Sequence, residues 1–459
     1  MSSARVRSCS KLQTQENQLS FPGKILFLRL SYLPAGRRTK CKTSKKKNFS
    51  GKTDFFKILW VFALKKHILM QKTYRIVLAG GGTGGHIFPL IPVAKELRAQ
   101  LGDATEILYF GPTGELEQTI MQDASIASIR IASGKWRRYF DLRNVSDVFK
   151  NIIGFVQSLY HLYRYMPDAV FSKGAYAAVP VVFAAWVYRI PIVTQDSDAT
   201  PGVANRIMGK FADRIAVAYP SATRYFEPSR VAITGNPIRE GFLLGDADRA
   251  RERFACPPGK PTLLILGGSL GSQAINRAVI RILPRLLERF FVIHQTGPSN
   301  YDEAVERIKE HTLGDTTGKL VLKPFFDIGE LSDAFALADL ILSRAGANTI
   351  SEIAAVGKPA LLIPLPSAAN DEQRMNAYEI ARAGGALVLE ESNLGENILL
   401  GKIEGLMNDA ELRRKMASAL RVFYHADAAT RIAESIGELI HEREMRQTFF
   451  DRMGAFFRR

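Results

Sequence analysis

Glycines, rather than acids or cysteines, mark the places in this chain where chemistry is built. In "GGGTGGHIFP", residues 80–89, five glycines surround Thr83 and His86 follows at once. The apolar run "YRIVL" precedes it, and "LIPVAKELRAQ" after it repeats apolar residues at helical spacing. The stretch therefore reads as strand, turn and helix start. Backbone N–H groups left uncovered at a helix N-terminus receive phosphate. A histidine at the edge of such a loop acts near neutral pH as a base or as a donor to phosphate. A second loop, "GGSLGS" at 267–272, repeats the geometry and adds the hydroxyl of Ser269. Two anion sites suit two phosphorylated substrates.

The first loop fits neither common glycine motif. A dinucleotide fingerprint needs an acid at the end of the second strand, and "EILYFGPTG" has none there. A P-loop needs Lys directly after Gly, and Lys95 is too distant. A third stretch, "SRAGANTISEIAAVGKPALLIPLP" at 343–366, opens a helix on the small residues Ala345, Gly346 and Ala347. It places Glu352 one to two turns in, within reach of a ribose diol. "NDEQRMN" at 370–376 then sets amides and acids at the end of the next strand, where sugar hydroxyls are gripped. As an ordered set these stretches point to a nucleotide sugar.

The elements that must hold these residues alternate. "RIVLAG", "EILYFG", "AVFSKG", "IPIVTQ" and "RIAVAY" are strand-like runs separated by helical stretches such as 142–165 and 201–212. The rhythm restarts near 236 with "GNPIREGF" and continues through "TLLILGG", "RFFVIHQTG", "KLVLKPF", "DLILSRAG", "PALLIPLP" and "ALVLEE". The fold class is α/β: two Rossmann-like, doubly wound domains facing across a cleft, with the ligand where the carboxyl ends of both sets of strands meet. The expected boundaries are an extension at 1–69, a first domain at 70–236, a second at 237–425 and a helical segment at 426–459 that packs back on the first domain.

Charge is unevenly spread. Of a net +17, residues 1–69 supply +14, with sixteen Lys/Arg against Glu16 and Asp54. The remaining body is nearly balanced, which removes the case for nucleic-acid binding. The leader is expected to be an upstream, largely disordered extension before Met70. Its apolar run "ILWVFAL" is seven residues long, and a spanning helix needs about 20. Cys256 is alone in the body, so neither a disulfide framework nor a metal-spaced Cys/His set is present in its sequence, and the compartment expected is the cytoplasm.

"GGTGGHIFP", "GNPIR", "GGSLGSQAIN", "SRAGANTISEIAAVGKPAL" and "EQRMNA" together resemble, in order and spacing, the lipid-II-forming N-acetylglucosaminyltransferases of peptidoglycan synthesis, from about residue 73 to at least 435. The resemblance implies a GT-B fold and an inverting enzyme that needs no cofactor. It would move GlcNAc from UDP-GlcNAc to the C4 hydroxyl of undecaprenyl-pyrophosphoryl-MurNAc-pentapeptide. It implies that 70–236 faces the acceptor and membrane and 237–425 the UDP-sugar. Gly82, Thr83, Gly84 and Gly85 would then face the acceptor diphosphate and donor sugar. Arg239 and Ser269 would meet the uridine diphosphate, and Phe325 or Phe326 the uracil. Ala347, Asn348, Thr349, Ile350, Ser351 and Glu352 would line the nucleotide sugar, with Glu352 on the ribose, and Gln373 would grip GlcNAc.

The chain departs from the family at 195–198. The usual His-Glu-Gln-Asn becomes Gln195, Asp196, Ser197 and Asp198, so an acid stands where an amide meets the sugar. The Gly-Gly-Tyr loop likewise becomes "GAY" at 174–176. "DSD" matches a metal-holding D-x-D pattern, but helix N-termini and Arg239 supply the charge a diphosphate needs, so no metal is expected. His86 and Asp196 are the two candidates for the base that takes the acceptor's proton. The departure leaves two other readings open: transfer to another lipid such as diacylglycerol, or nucleotide-sugar binding without turnover.

A polyprenyl acceptor implies contact with the anionic inner leaflet, and so a peripheral enzyme on the cytoplasmic face of the cell membrane. Segment 134–165 combines Lys135, Arg137, Arg138 and Arg143 with Phe149, Ile152, Ile153, Phe155, Val156, Leu159 and Tyr160, more apolar surface than one core-facing stripe uses. The tail "MRQTFFDRMGAFFRR" repeats the basic-aromatic theme.

Overall fold

In the computed structural model, residues 73–134, 143–268, 270–311 and 316–457 are described. The 1–69 extension, Ser269, Lys135, Arg137 and Arg138 lie outside them. The first sheet comprises β1 (Arg75–Ala79), β2 (Glu106–Gly111), β3 (Ala127–Arg130), β4 (Ala169–Ser172), β5 (Ile192–Asp196), β6 (Arg214–Val217) and β7 (Val231–Ile233). All pair in parallel, in the order β3-β2-β1-β4-β5-β6-β7. The second comprises β8 (Thr262–Leu266), β9 (Phe291–Gln295), β10 (Leu320–Lys323), β11 (Leu340–Ser343), β12 (Ala360–Leu362) and β13 (Ala386–Val388), also parallel, in the order β10-β9-β8-β11-β12-β13. Near-continuous aliphatic strands such as "RIVLA", "AVFS" and "TLLIL" are what a sheet covered on both faces requires, and they are buried almost throughout.

Strand order reverses between β1 and β4 in the first sheet and between β8 and β11 in the second. Crevices outside the carboxyl ends at such reversals are where open α/β sheets bind ligands. The two glycine loops leave the ends of β1 and β8, so each loop stands at a reversal. Behind the second loop the packing is apolar. The Gln273–Arg289 helix sets Ile275, Val279, Ile282 and Leu286 against Leu263, Ile265 and Val292. Its first turn is fixed by Ser272, whose Oγ accepts the Ile275 N–H at 3.3 Å.

The last helix, Ala428–Phe457, packs on the first sheet rather than the second. Ile432, Ala433, Ile436 and Ile440 are buried with Ile76, Leu78, Val93 and Leu97. Each isoleucine so placed contributes roughly 1.5–3 kcal/mol of burial. Arg214, just inside β6, donates to Glu442 at 2.8 Å and also to Glu438.

The Arg143–Tyr165 helix presents two apolar faces. Phe155 and Leu159 form the core-facing stripe, packed against the first sheet's core. Phe149, Ile152, Ile153, Val156 and Tyr160 are more than half exposed, as is Trp186 from the helix it packs on. Among the described residues no helix is long and apolar enough to cross a membrane.

Candidate active site

A cavity of about 470 Å³ opens where the two glycine loops face each other. Thr83, Gly84, Gly85 and His86 line it from the first loop, and Gly267, Gly268 and Gly271 from the second. Gly81 and Gly82 have φ of +112° and +88°, and a Cβ on Gly82 would lie 2.8 Å from Tyr176 Oη. Gly82 is thus needed for the turn but is turned away from the cavity, and its N–H already donates to Glu117 Oε1 at 3.2 Å. The short turn Gly84–His86 places His86 at the rim, with Nδ1 2.9 Å from Thr83 Oγ1. Burial, reinforced by the charge of Lys173, holds the ring far below its ordinary range, so it is neutral at physiological pH.

The helix Ala347–Val356 starts at the cavity wall, and Gly346 before it offers no side-chain cap, so its first amides are open. Gly346, Ala347, Asn348, Thr349 and Glu352 line the space, whereas Ile350 and Ser351 are buried behind it. Ser351 Oγ donates to Ala347 O at 2.8 Å, a helix-internal bond. Arg239 enters from the chain between the sheets. Its Nη2 donates to Glu352 Oε1 at 3.0 Å, its guanidinium lies 4.7 Å from the Phe88 ring centre, and its buried Nε has no partner among the described residues. Burial pushes the Glu352 carboxyl up while Arg239 holds it down. An arginine with a spare buried donor beside an open helix start is suited to a diphosphate.

Of the two aromatic candidates, Phe325 lines the cavity and Phe326 is buried in the core, its N–H donating to Gln295 Oε1 at 3.0 Å. Gln373 lines the far wall, its Oε1 accepting the Leu365 N–H at 3.1 Å.

The acidic turn divides its labour. Asp196 is 2% exposed and does not line the cavity. Its Oδ1 accepts the Asp198 N–H at 2.8 Å and its Oδ2 accepts from Asn205. With both oxygens engaged and no part in the cavity lining, the Asp196 carboxylate is set as a brace of the turn, and of the two candidate bases only His86 lines the cavity. Asp198 does reach the cavity, and its Oδ1 accepts from Asn376 Nδ2 at 2.8 Å. Burial pushes Asp198 up to about 6, helped by the neighbouring Asp196, while Asn376 and Lys173 oppose it. Among the described residues no three His, Cys, Asp or Glu side chains converge as metal ligands.

Two family models match this chain: the glycosyltransferase family 28 N-terminal domain over residues 76–217 and the C-terminal domain over 262–432. A curated relative from Clostridium perfringens is 37% identical over 81% of this chain and all of its own length. One from Treponema pallidum is 37% identical over 80% of this chain and 96% of its own. Both are named UDP-N-acetylglucosamine–N-acetylmuramyl-(pentapeptide) pyrophosphoryl-undecaprenol N-acetylglucosamine transferase. The chain belongs to glycosyltransferase family 28. Its fold is GT-B, and the Acinetobacter baumannii MurG crystal structure superposes with a TM-score of 0.61 at 26% identity, over 80% of this chain and 99% of that one. A Neisseria meningitidis UDP-GlcNAc 2-epimerase shares the fold, with a TM-score of 0.58 at 14% identity over 80% of this chain and all of that one.

Three further residues at or behind the cavity were not singled out in the sequence, although Arg344 and Asn376 lie within the quoted motifs. Arg344 is 7% exposed and donates to Ser272 Oγ at 2.6 Å, holding the second loop's helix start. Gln295 ends β9 and also lines the cavity. Asn376 joins the acidic turn to the second sheet's helices, with Oδ1 accepting the Ala199 N–H at 2.7 Å. The sequence reading set the amides of 370–376 on sugar hydroxyls; the Asn376 amide instead bonds Ala199 and Asp198.

Proposed function

We propose that this family 28 glycosyltransferase moves GlcNAc from UDP-GlcNAc to the C4 hydroxyl of MurNAc in a polyprenyl-pyrophosphoryl-MurNAc-pentapeptide, with inversion. The observation carrying this reading is the match of the chain, over the full length of a 37%-identical relative, to proteins named for that transfer. The cavity supports it, because the two glycine loops open on a common space sized for sugars and diphosphates. In this reading residues 70–236 serve the acceptor and 237–425 the nucleotide sugar. Leaving UDP is met by the open amides of the Ala347–Val356 helix and by Arg239, charges set in place by folding. Glu352 holds the ribose, Phe325 the uracil and Gln373 the sugar. Ionised Asp198 accepts from a sugar hydroxyl, and neutral His86 takes the attacking hydroxyl's proton as the glycosidic bond forms.

The exposed face of Arg143–Tyr165, with Trp186, we assign to the membrane surface that carries the acceptor. An acceptor comparison tests the reading. A lipid-I analogue should yield a GlcNAc-MurNAc product with UDP-GlcNAc, and diacylglycerol none. Product on diacylglycerol alone would replace this acceptor with another lipid.

A further inference from the structure

Lys173 directly follows β4, at the reversal of the first sheet, where its backbone N–H donates to Ala79 O at 2.8 Å. Its side chain is 1% exposed beneath the first glycine loop, and a Cβ on Gly80 would lie 3.4 Å from its own Cβ. A buried ammonium needs polar partners from the protein. Among the described residues its Nζ donates to Ser197 Oγ, and no carboxylate comes within ion-pair distance of it.

An ammonium has three donors and no acceptor. Ser197 Oγ therefore accepts from Lys173 and sends its own proton onward, to Asn236 Oδ1 at 3.1 Å. That sets the Asn236 amide, whose Nδ2 donates to Asn348 Oδ1 at 2.9 Å and to Ser351 Oγ at 3.3 Å. Asn348 is left with its Nδ2, which donates to Gly85 O at 3.3 Å. The relay starts under the first loop, crosses to the start of the Ala347–Val356 helix and returns to the first loop. Every bond in it points the same way.

We propose that Lys173 is a positioning residue for the transfer: unable to accept, it anchors the donor end of a relay whose other end is the acceptor-only Gly85 carbonyl, and the two ends together hold the orientation of Asn348 in the cavity and the register of the two loops. The proposal rests on the transfer reading above for its kinetic consequences. Burial pushes the ammonium down to about 8, against the pull of Asp196 and Asp198. The titratable groups facing it are those two acids, from the end of β5, and His86, from the first loop. His86, held down to about 3, and Asp198, pushed up to about 6, lose their protons at lower pH. Asp196 is raised by burial against hydrogen bonds from Asp198 and Asn205, so it is Lys173→Arg that assigns the alkaline limb. A neutral amine can accept as well as donate, and the relay is then directed from its far end alone, where Gly85 O only accepts and the Ser351 hydroxyl is already donated to Ala347 O.

The test is kcat and KM for UDP-GlcNAc against pH, using the full chain and a lipid-I analogue. Wild type should lose kcat as pH rises through about 8. Lys173→Arg stays charged, so it should keep the neutral rate and lose the alkaline fall. Lys173→Met should lower kcat roughly 10²-fold at neutral pH, as misplaced reacting groups do. Adding Asn348→Ala to it should cost no more than Asn348→Ala alone, because both break one relay. Should arginine not fit, Ser197→Ala should reproduce the loss seen with methionine. Wild-type kcat with the same alkaline fall in Lys173→Met, or losses that multiply in the double variant, would overturn the proposal. Thermal unfolding of the same variants without substrate forms a separate arm, in which the double variant's melting shift should be smaller than the sum of the single shifts. If wild type releases no UDP with the acceptor, the transfer reading fails, and additive melting shifts would still overturn the relay.

Discussion

Two side chains of the first half reach the cavity in unlike electrostatic settings, and each makes a prediction. His86 is neutral because burial and Lys173 disfavour its charged form, and the proposed role of proton acceptor would show in kcat rather than in binding. His86→Ala should lower kcat roughly 10²- to 10⁴-fold with little change in KM for UDP-GlcNAc. A rate within a fewfold of wild type would remove it from that role. Asp198 is raised from 3.8 to about 6, so it is ionised above that pH and protonated below. The kcat of the wild type should therefore fall as pH drops through about 6, and Asp198→Asn should lack that limb; a limb that persists in the asparagine variant belongs to another group. The sequence disclosed both residues by type and place, at a loop end and a strand end. It put Asp196 forward as a base and Asp198 on the sugar, because only packing shows that Asp196 meets Asn205 while Asp198 meets the cavity. Lys173 carried no signal either, since a lysine after a strand reads as solvent-facing until burial is known.

At the scale of elements, the glycine turn and the amphipathic helix carry the argument. Gly82 sits at φ +88° with Tyr176 Oη in the place of any Cβ. Gly82→Ala should cost about 1–3 kcal/mol of stability, read as a lowered denaturant midpoint, because a strained backbone and a crowded side chain combine there. An unchanged midpoint would mean that the turn relaxes freely. The exposed face of Arg143–Tyr165 should matter only where the acceptor sits in a membrane. Phe149→Glu with Ile153→Glu should abolish co-sedimentation with anionic vesicles yet leave transfer to a soluble acceptor analogue intact. Retained vesicle binding would assign the membrane to another surface. Strand and helix order was readable because buried parallel strands are short aliphatic runs between glycine turns. The inward turn of Phe155 and Leu159 was not, since a wide apolar helix has the same composition whether one face or two are buried.

At the scale of the molecule, each glycine loop lies where its own sheet reverses order, and the two reversals share one cavity. That placement follows from the same order of strand, glycine loop and helix occurring twice, which is why it was legible from that repeat alone. How the halves are bonded was not legible: Asn236 with Asn348, Asn376 with Asp198, and Ser221 with Glu379 join residues far apart in sequence. The central claim is that the shared cavity holds an activated sugar and a lipid-borne alcohol at the same time. It is tested most directly by UDP release from UDP-GlcNAc with and without a lipid-I analogue. The account predicts release that depends on acceptor and matches the disaccharide product mole for mole. UDP-GlcNAc bound without acceptor-dependent release, or UDP appearing at the same rate with no acceptor, would contradict it.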